Sequence, residues 1–339
     1  MAGPAIADPV RIATYNTELS RDGPGLFLRD ILRGEDDQIA GVTGVIARVS
    51  PDILLLQGID YDAGGYALAA FADALAGMGA DYPYRLALRP NTGMPTGLDL
   101  DGNGRLGEAR DAQGYGRFNG AGGMAVLSRL PIDRGAVVDH SGFLWADLPG
   151  GQAREVLSPE ALAVQRLASV AAWEVPIEVG DQVLRLLTMH ATPPVFDGPE
   201  DRNGRRNADE LRFWQWQIET GAVTAPFVLA GVMNADPVDG DARREVLAAM
   251  LSDPALQDPA PVSEGGEGTD TADWADPDPG NLRVSYILPS VDTRVMDSGV
   301  FWPADDAPNR PLLGGPDGNG ASRQRLVWVD IEMQGMGEH

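Results

Sequence analysis

Histidines are the side chains best suited to acid–base or phosphate chemistry in this sequence, and only three are present: His140, His190 and His339. A mechanism that needs two histidines must pair His140 with His190 or recruit the C-terminal residue. The sequence contains no cysteine and no lysine. Thiolate nucleophiles, disulfides, cysteine-zinc sites, lysine Schiff bases and a P-loop lysine are therefore excluded.

A second chemical signal is the acidic stretch "LDLDGNGRLGEARD" at 98–111. Its spacing is typical of positions 1, 3, 5 and 6 of an EF-hand-type calcium loop, although no flanking helix pair is evident. The twelfth position is Arg110 instead of Glu, so Glu108 or Asp111 has to close the site. The candidate calcium ligands are Asp99, Asp101, Asn103, the carbonyl of Arg105, and Asp111. Such an ion would stabilise a long insertion; the alternative is an acidic, glycine-rich turn.

Arginines supply a third signal. Arg202, Arg205 and Arg206 lie in "DRNGRRN", just before a helix that we predict to begin at Asn207. Guanidinium groups beside free helix amides form a candidate anion or phosphate site, and Arg117 in "GYGRFNG" is a further candidate. Surface ion pairs are the alternative interpretation for all four arginines.

Buried strands alternating with helices must position these groups. Apolar patterns predict strands at 10–16, 52–60, 122–132, 282–290 and 325–333, a hairpin that ends at His190, and a strand in "APFVLAGVMN". Helical spacing predicts helices at 37–51, 65–79, 207–222 and in "REVLAAML". We expect one domain over 1–339, with loop insertions at about 90–121, 258–281 and 303–321.

The order of these motifs resembles the endonuclease/exonuclease/phosphatase superfamily. The matching stretches are "IATYN", "PDILLLQG", "GGMAVLSRLPI", "LLTMH", "FVLAGVMNADP", "RVSYILPS" and "SRQRLVWVD", and they cover nearly the whole chain in the family's order. The resemblance implies an α/β (α+β) fold: a DNase I-like four-layer α/β/β/α sandwich with mostly antiparallel or mixed sheets. It also implies metal-dependent hydrolysis of phosphate esters, usually with Mg²⁺.

Three functional positions of the family are retained. The early Asn that supports the metal site matches Asn16, the phosphate-binding His matches His190, and the Asn of the Gly-Asp-x-Asn motif matches Asn234.

Five other positions of the family's motifs have lost their functional residue. The metal-binding Glu matches Gly58, the Asp of Gly-Asp-x-Asn matches Val232, and the Asp of the Asp-Tyr-Ile motif matches Ser285. The final Asp-His pair matches Arg323 and Gln324. Because each such group contributes on the order of 10² or more in rate, the standard mechanism is not expected here.

We therefore expect a pseudoenzyme that keeps the fold and binds an anionic or phosphorylated small molecule, or a protein partner, in the old cleft. One alternative is an active phosphodiesterase or phosphatase that uses Mg²⁺ or Mn²⁺ with relocated ligands, of which Asp60 is a candidate. Another is a secreted or surface structural protein stabilised by Ca²⁺.

The overall charge of the protein limits the kinds of partner that it can bind. The formal net charge is −24, which argues against general binding to nucleic acid because phosphate backbones would be repelled. The sequence has no apolar run long enough for a membrane span. An extracytoplasmic location, periplasmic or secreted, is favoured over a cytoplasmic one, and the chain itself carries no recognisable signal peptide.

Overall fold

Eleven strands and seven α-helices form the part of the chain that the structure describes, residues 9–334 of a computed structural model. The strands, numbered in chain order, are β1 Val10–Asn16, β2 Ile53–Ile59, β3 Tyr84–Leu86, β4 Gly123–Ser128, β5 Val138–Asp139, β6 Ala172–Val179, β7 Gln182–His190, β8 Phe227–Val232, β9 Ser285–Pro289, β10 Thr293–Val300 and β11 Val327–Met333. The helices are α1 Leu26–Arg33, α2 Asp37–Val49, α3 Tyr66–Gly77, α4 Ala153–Val156, α5 Pro159–Leu162, α6 Arg202–Glu219 and α7 Arg244–Leu251.

The strands form two mixed sheets. The first has the order β10–β11–β1–β2–β4–β3, and only its β1–β2 pair is parallel. The second has the order β5–β6–β7–β8–β9, and only its β7–β8 pair is parallel. A parallel pair brings the carboxyl ends of both strands to one edge of the sheet. Each sheet therefore has one edge at which loops that follow different strands meet.

Alternation along β8 shows how the layers pack. Val228 and Ala230 pack into the core that joins the two sheets, whereas Phe227 and Leu229 pack with apolar residues of α6 and α7. Successive strand residues point to opposite faces of a sheet, so one strand serves both layers. On the other side, α1, α2 and α3 pack on the six-stranded sheet. The predicted four-layer α/β/β/α sandwich is confirmed.

The three predicted loop insertions, about 90–121, 258–281 and 303–321, contain no strand or α-helix in the described chain. They carry only short 3₁₀ turns, at Ala109–Asp111 and Arg310–Leu313. None of the helices in residues 9–334 combines the length and apolar character needed to cross a bilayer.

Two element predictions need correction. Helix α6 begins at Arg202 and not at Asn207, because the Asn207 amide does not cap it and instead donates to the carbonyls of Thr192 and Met233, each at 2.8 Å.

The predicted second strand of 122–132 does not form. Only an isolated bridge joins Ile132 to Ile177, since Pro131 removes a backbone donor beside it.

Candidate functional site

His190, Val232 and Ser285 lie side by side at one edge of the five-stranded sheet. His190 is in register with Val232 across the parallel β7–β8 pair, and Val232 is in register with Ser285 across the antiparallel β8–β9 pair. Ser285 continues the row to Gln324, with 3.5 Å between Ser285 Oγ and Gln324 Oε1. Residues about 140 positions apart in sequence are thus brought together by strand register.

Asn16 and Gly58 meet at the corresponding edge of the other sheet. Gly58 has φ +68°, and a Cβ atom placed on it would lie 2.4 Å from Asn16 Oδ1 and 2.9 Å from the backbone nitrogen of Glu18. The β2–β4 register shifts at this residue, so it forms a bulge. The backbone here has no room for a side chain, and this position therefore cannot present a carboxylate without rearrangement.

We expect Gly58→Ala to destabilise the protein through the contact with Asn16. Gly65→Ala is the matched control, because Gly65 has φ +67° and no atom near its Cβ position. Both changes carry the cost of a left-handed backbone, and Gly58→Ala should cost about 1 kcal/mol more because of the close contact. Urea unfolding of both variants measures the difference, and equal losses would contradict the close approach.

Glu18 and Arg323 form an ion pair beside Asn16. Arg323 donates from Nη2 to Glu18 Oε1 at 2.5 Å and from its backbone nitrogen to Glu18 Oε2 at 2.9 Å. Ser322 Oγ donates to the carbonyl of Asn16 at 2.8 Å and lies 3.2 Å from Oε2 of the same carboxylate. Hydrogen bonds with Glu18 raise the pKa of Arg323. The pair therefore neutralises the acid nearest Asn16.

The eight positions of the family's motifs are joined by these contacts, and we call them the strand-end site: Asn16, Gly58, His190, Val232, Asn234, Ser285, Arg323 and Gln324. Asn234 joins through its side-chain amide, which donates to the carbonyl of Ala191 at 2.8 Å.

Asp60, the candidate relocated ligand, has its carboxylate committed to the protein. Its oxygens accept from Ser20 Oγ at 2.6 Å, from Gly122 N at 2.9 Å and from Arg21 N at 2.9 Å. Asp236, two residues after Asn234, is committed in the same way to backbone amides of its own turn and to Arg283 N. Both carboxylates hold loops together.

His190 stands in the wall between two cavities. On one side is a large cleft of about 1670 Å³, and on the other a cavity of about 20 Å³ lined also by His140 and Glu210. His190 Nδ1 and His140 Nε2 are buried and have no hydrogen-bond partner among the described residues. Burial lowers the pKa of His190 to about 4, so the imidazole is neutral at pH 7.

The four candidate anion-binding arginines differ in how far they are already occupied. Arg117 pairs with Asp22, and Arg205 pairs with Glu155. Arg206 is buried and donates to three backbone carbonyls at 2.6 to 2.9 Å. Arg202 donates only to Gln165 Oε1, at 3.1 Å, and lines the large cleft.

The candidate calcium residues form a compact acidic cluster. Asp99, Asp101 and Asp111 each offer a carboxylate oxygen within 4.8 Å of the others. Asp111 is 1% exposed and accepts from Leu100 N at 2.9 Å. Asn103 donates to Glu108 Oε2 at 2.6 Å, and Arg105 pairs with Glu108 at 3.1 Å. Asp111, rather than Glu108, is the third carboxylate of this cluster.

Sequence reasoning did not single out Asp270 or the carboxylate of Glu210. Burial raises the pKa of Asp270 to about 6, with further contributions from Asp236, Glu267 and Asp239. Glu210 is buried and accepts from Ser169 N and Thr192 N, each at 2.6 Å, which ties the backbone just after His190 to the segment at Ser169. Glu210 lies inside α6, where one acid among many gives no signal.

The donor set of the strand-end site does not fit a Mg²⁺ ion. Hard divalent cations require several oxygen ligands, usually carboxylates. Within residues 9–334, the eight positions supply amides, a hydroxyl, an imidazole and a guanidinium, and the adjacent Glu18 carboxylate is paired to Arg323. The site can donate and accept hydrogen bonds with a neutral ligand or an anion.

Comparisons with known proteins place the chain in a family. The model of the "Endonuclease/Exonuclease/phosphatase family" matches residues 13–322. An endonuclease/exonuclease/phosphatase from Beutenbergia cavernae is 18% identical with a TM-score of 0.59, covering 97% of this chain and 72% of its own. A family protein from Leptotrichia buccalis is 16% identical with a TM-score of 0.55, covering 96% and 100%.

Sphingomyelinase C from Streptomyces griseocarneus is also similar, at 16% identity and a TM-score of 0.52, covering 95% of this chain and 99% of its own. Identities this low show a shared fold and nothing more. None of the curated proteins matches this sequence. The extent of the family match shows that this chain belongs to the endonuclease/exonuclease/phosphatase family.

Proposed function

We propose that this chain is a non-hydrolytic member of its family that binds an anionic or phosphorylated small molecule in the cleft beside His190. The observation that carries the proposal is the replacement of every matched acid at the strand-end site by a residue without a carboxylate. Arg323 stands at the position where the family has an acid, and its guanidinium group forms an ion pair with Glu18. A protein partner in the same cleft is the alternative occupant.

Hydrolysis assays test this proposal directly. A phosphodiester and a phosphomonoester are incubated with Mg²⁺, Mn²⁺ and Ca²⁺, and we expect no turnover above the rate without protein. The losses remove metal binding and the Asp-His pair together, each worth on the order of 10² or more in rate. Metal-dependent turnover that Asn16→Ala and His190→Ala both abolish would overturn the pseudoenzyme proposal.

A phosphoesterase with relocated groups is the second candidate, and the observation that favours it is Asp270, which precedes Thr271, whose Oγ1 accepts from Ser285 N at 3.0 Å. A carboxyl with a pKa of about 6 can exchange protons near neutral pH. Under this alternative, Asp270→Asn would abolish a turnover that the wild-type protein shows with Mg²⁺ or Mn²⁺. The same assays therefore separate the two candidates.

We also propose that Asp99, Asp101 and Asp111 hold a structural Ca²⁺. Three carboxylates with oxygens within 4.8 Å of one another repel each other, and a cation between them would remove that repulsion. Calcium accepts six to eight oxygen ligands in flexible geometry, and backbone carbonyls and water complete such a shell. A calcium-stabilised loop suits an extracytoplasmic location, where calcium is abundant.

A further inference from the structure

Three arginines surround a pair of glutamines at one wall of the large cleft. Arg206 Nη2 donates to the carbonyl of Gln113 at 2.6 Å, and Arg202 Nη2 donates to Gln165 Oε1 at 3.1 Å. Arg166 donates from its backbone nitrogen to Gln113 Oε1 at 2.8 Å. Gln165 Nε2 donates to the carbonyl of Gln113 at 2.8 Å, which joins the two glutamines. We call Arg166, Arg202 and Arg206 the arginine cluster.

Every hydrogen-bond partner of these guanidinium groups in the described chain is neutral. Arg166 donates to the side-chain carbonyl of Asn91 at 2.8 Å, Arg206 donates to backbone carbonyls, and Arg202 donates to Gln165. The chain has 50 acidic residues against 26 arginines, so counter-ions are plentiful elsewhere. Taking cations out of water without a paired anion is costly. A cluster of this kind is therefore suited to an anion that comes from outside the chain.

The nearest carboxylates stabilise the charged guanidinium groups, but less than burial destabilises them. Glu210 favours the charged form of Arg206, and Glu200, Asp197 and Asp101 favour that of Arg202. None of these acids lies within ion-pair distance of the cluster. Burial outweighs them, lowering the pKa of Arg206 to about 10 and also lowering the pKa of Arg202.

Arg202 is the member of the cluster that a ligand can reach with unused donors. It lines the large cleft, and a single side-chain carbonyl occupies one of its amino groups. A guanidinium fork binds carboxylate or phosphate through two parallel hydrogen bonds. Arg206 also lines the cleft, but its donors are bound to backbone carbonyls, and Arg166 donates to Asn91 and is not among the residues that line the cleft, so these two contribute mainly positive charge.

Two aromatic side chains stand exposed in the same cleft. Phe196 is 84% exposed and Tyr115 is 67% exposed. Phe196 has φ +70°, a backbone conformation that is strained for a bulky residue and that commonly marks functional positions. Exposed rings in a cleft that also contains a cation provide a surface for the apolar part of an organic anion.

We propose that Arg202, supported by Arg166 and Arg206, binds the carboxylate or phosphoryl group of an organic anion whose planar, apolar part rests on Phe196 and Tyr115. This inference deepens the proposed binding function of the cleft and rests on it. The proposal assigns anion binding to Arg202 and not to Arg117 or Arg205, because those two arginines are already paired with acids.

Titration calorimetry with defined probes tests the proposal. The probes are phenylphosphonate, which cannot be hydrolysed as an ester, benzoate, and inorganic phosphate. We expect Arg202→Gln to weaken binding of phenylphosphonate or benzoate about tenfold or more. The matched control is Arg205→Gln, three residues along the same helix, where pairing with Glu155 predicts a change below about twofold. Preference for phenylphosphonate or benzoate distinguishes the two anionic groups.

Phe196→Ala separates the aromatic contact from the charge. It should weaken binding of the phenyl probes and leave inorganic phosphate unchanged. Wild-type protein that binds no probe at about 10 mM, or equal effects of Arg202→Gln and Arg205→Gln, would overturn the assignment. Hydrolysis of a phenyl phosphate ester by wild-type protein would overturn the non-hydrolytic function, while Arg202-dependent binding of phenylphosphonate would still support this site.

Discussion

Calcium is expected to raise the midpoint of thermal unfolding, and a chelator is expected to lower it to the metal-free value. A ligand that binds only the folded state stabilises it by about 2.7 kcal/mol at a concentration about 100 times its Kd. For a chain of this size, that corresponds to a shift of about 4 °C. The reason is the arrangement of Asp99, Asp101 and Asp111, whose oxygens lie within 4.8 Å of one another. Differential scanning calorimetry with calcium and with chelator measures the shift.

Asp101→Asn should abolish the calcium response with little effect on metal-free stability, because Asp101 is exposed and accepts only from Asn103. Asp317→Asn is the matched control: "DGNG" at 317–320 repeats the local sequence of 101–104 and belongs to no acidic cluster found in the described chain. An unchanged midpoint of the wild-type protein with calcium and with chelator would refute calcium binding by this loop.

Acidification is expected to destabilise the protein through His190. Burial lowers its pKa from about 6.5 to about 4, so protons bind the unfolded state more tightly than the folded state. The neutral imidazole makes its full contribution to the free energy of unfolding above about pH 6.5, and this contribution is lost as the pH falls toward 4. Linkage gives a loss of about 2 kcal/mol between pH 7 and pH 5 from this residue. Urea unfolding of wild-type protein and His190→Gln at both pH values isolates that amount.

The His190→Gln protein should show the smaller loss between the two pH values, because glutamine does not titrate. A proton NMR titration of the wild-type imidazole gives the pKa without any substitution. Parallel pH dependences of the two proteins, together with an imidazole pKa near 6.5, would show that His190 is not buried as described. His140 shares the small cavity, and burial lowers its pKa too, so part of the acid sensitivity remains in the variant.

Local sequence patterns were sufficient to predict most of the strands and helices of the fold. β2 and β8 are continuous apolar runs that no exposed surface element would carry, and α2 shows regular helical spacing with Asp36 accepting from Ile39 N at its start. The sequence pattern does not reveal β10, an edge strand in which only three of eight residues are buried. It also does not reveal α1, which has only eight residues between Gly25 and Gly34.

The sequence by itself predicted the family's fold, the absence of acids at positions 58, 232, 285 and 323, which we matched to the family's motifs, and the spacing of the acidic loop, because each of these is a property of residue type and short-range order. The tertiary structure alone decided that Gly58 has no room for a side chain, that Arg323 neutralises Glu18, and that Arg202 lines the cleft with a neutral side chain as its hydrogen-bond partner. These features depend on contacts between residues 40 to 300 positions apart, which strand register and loop packing create and which no local pattern encodes.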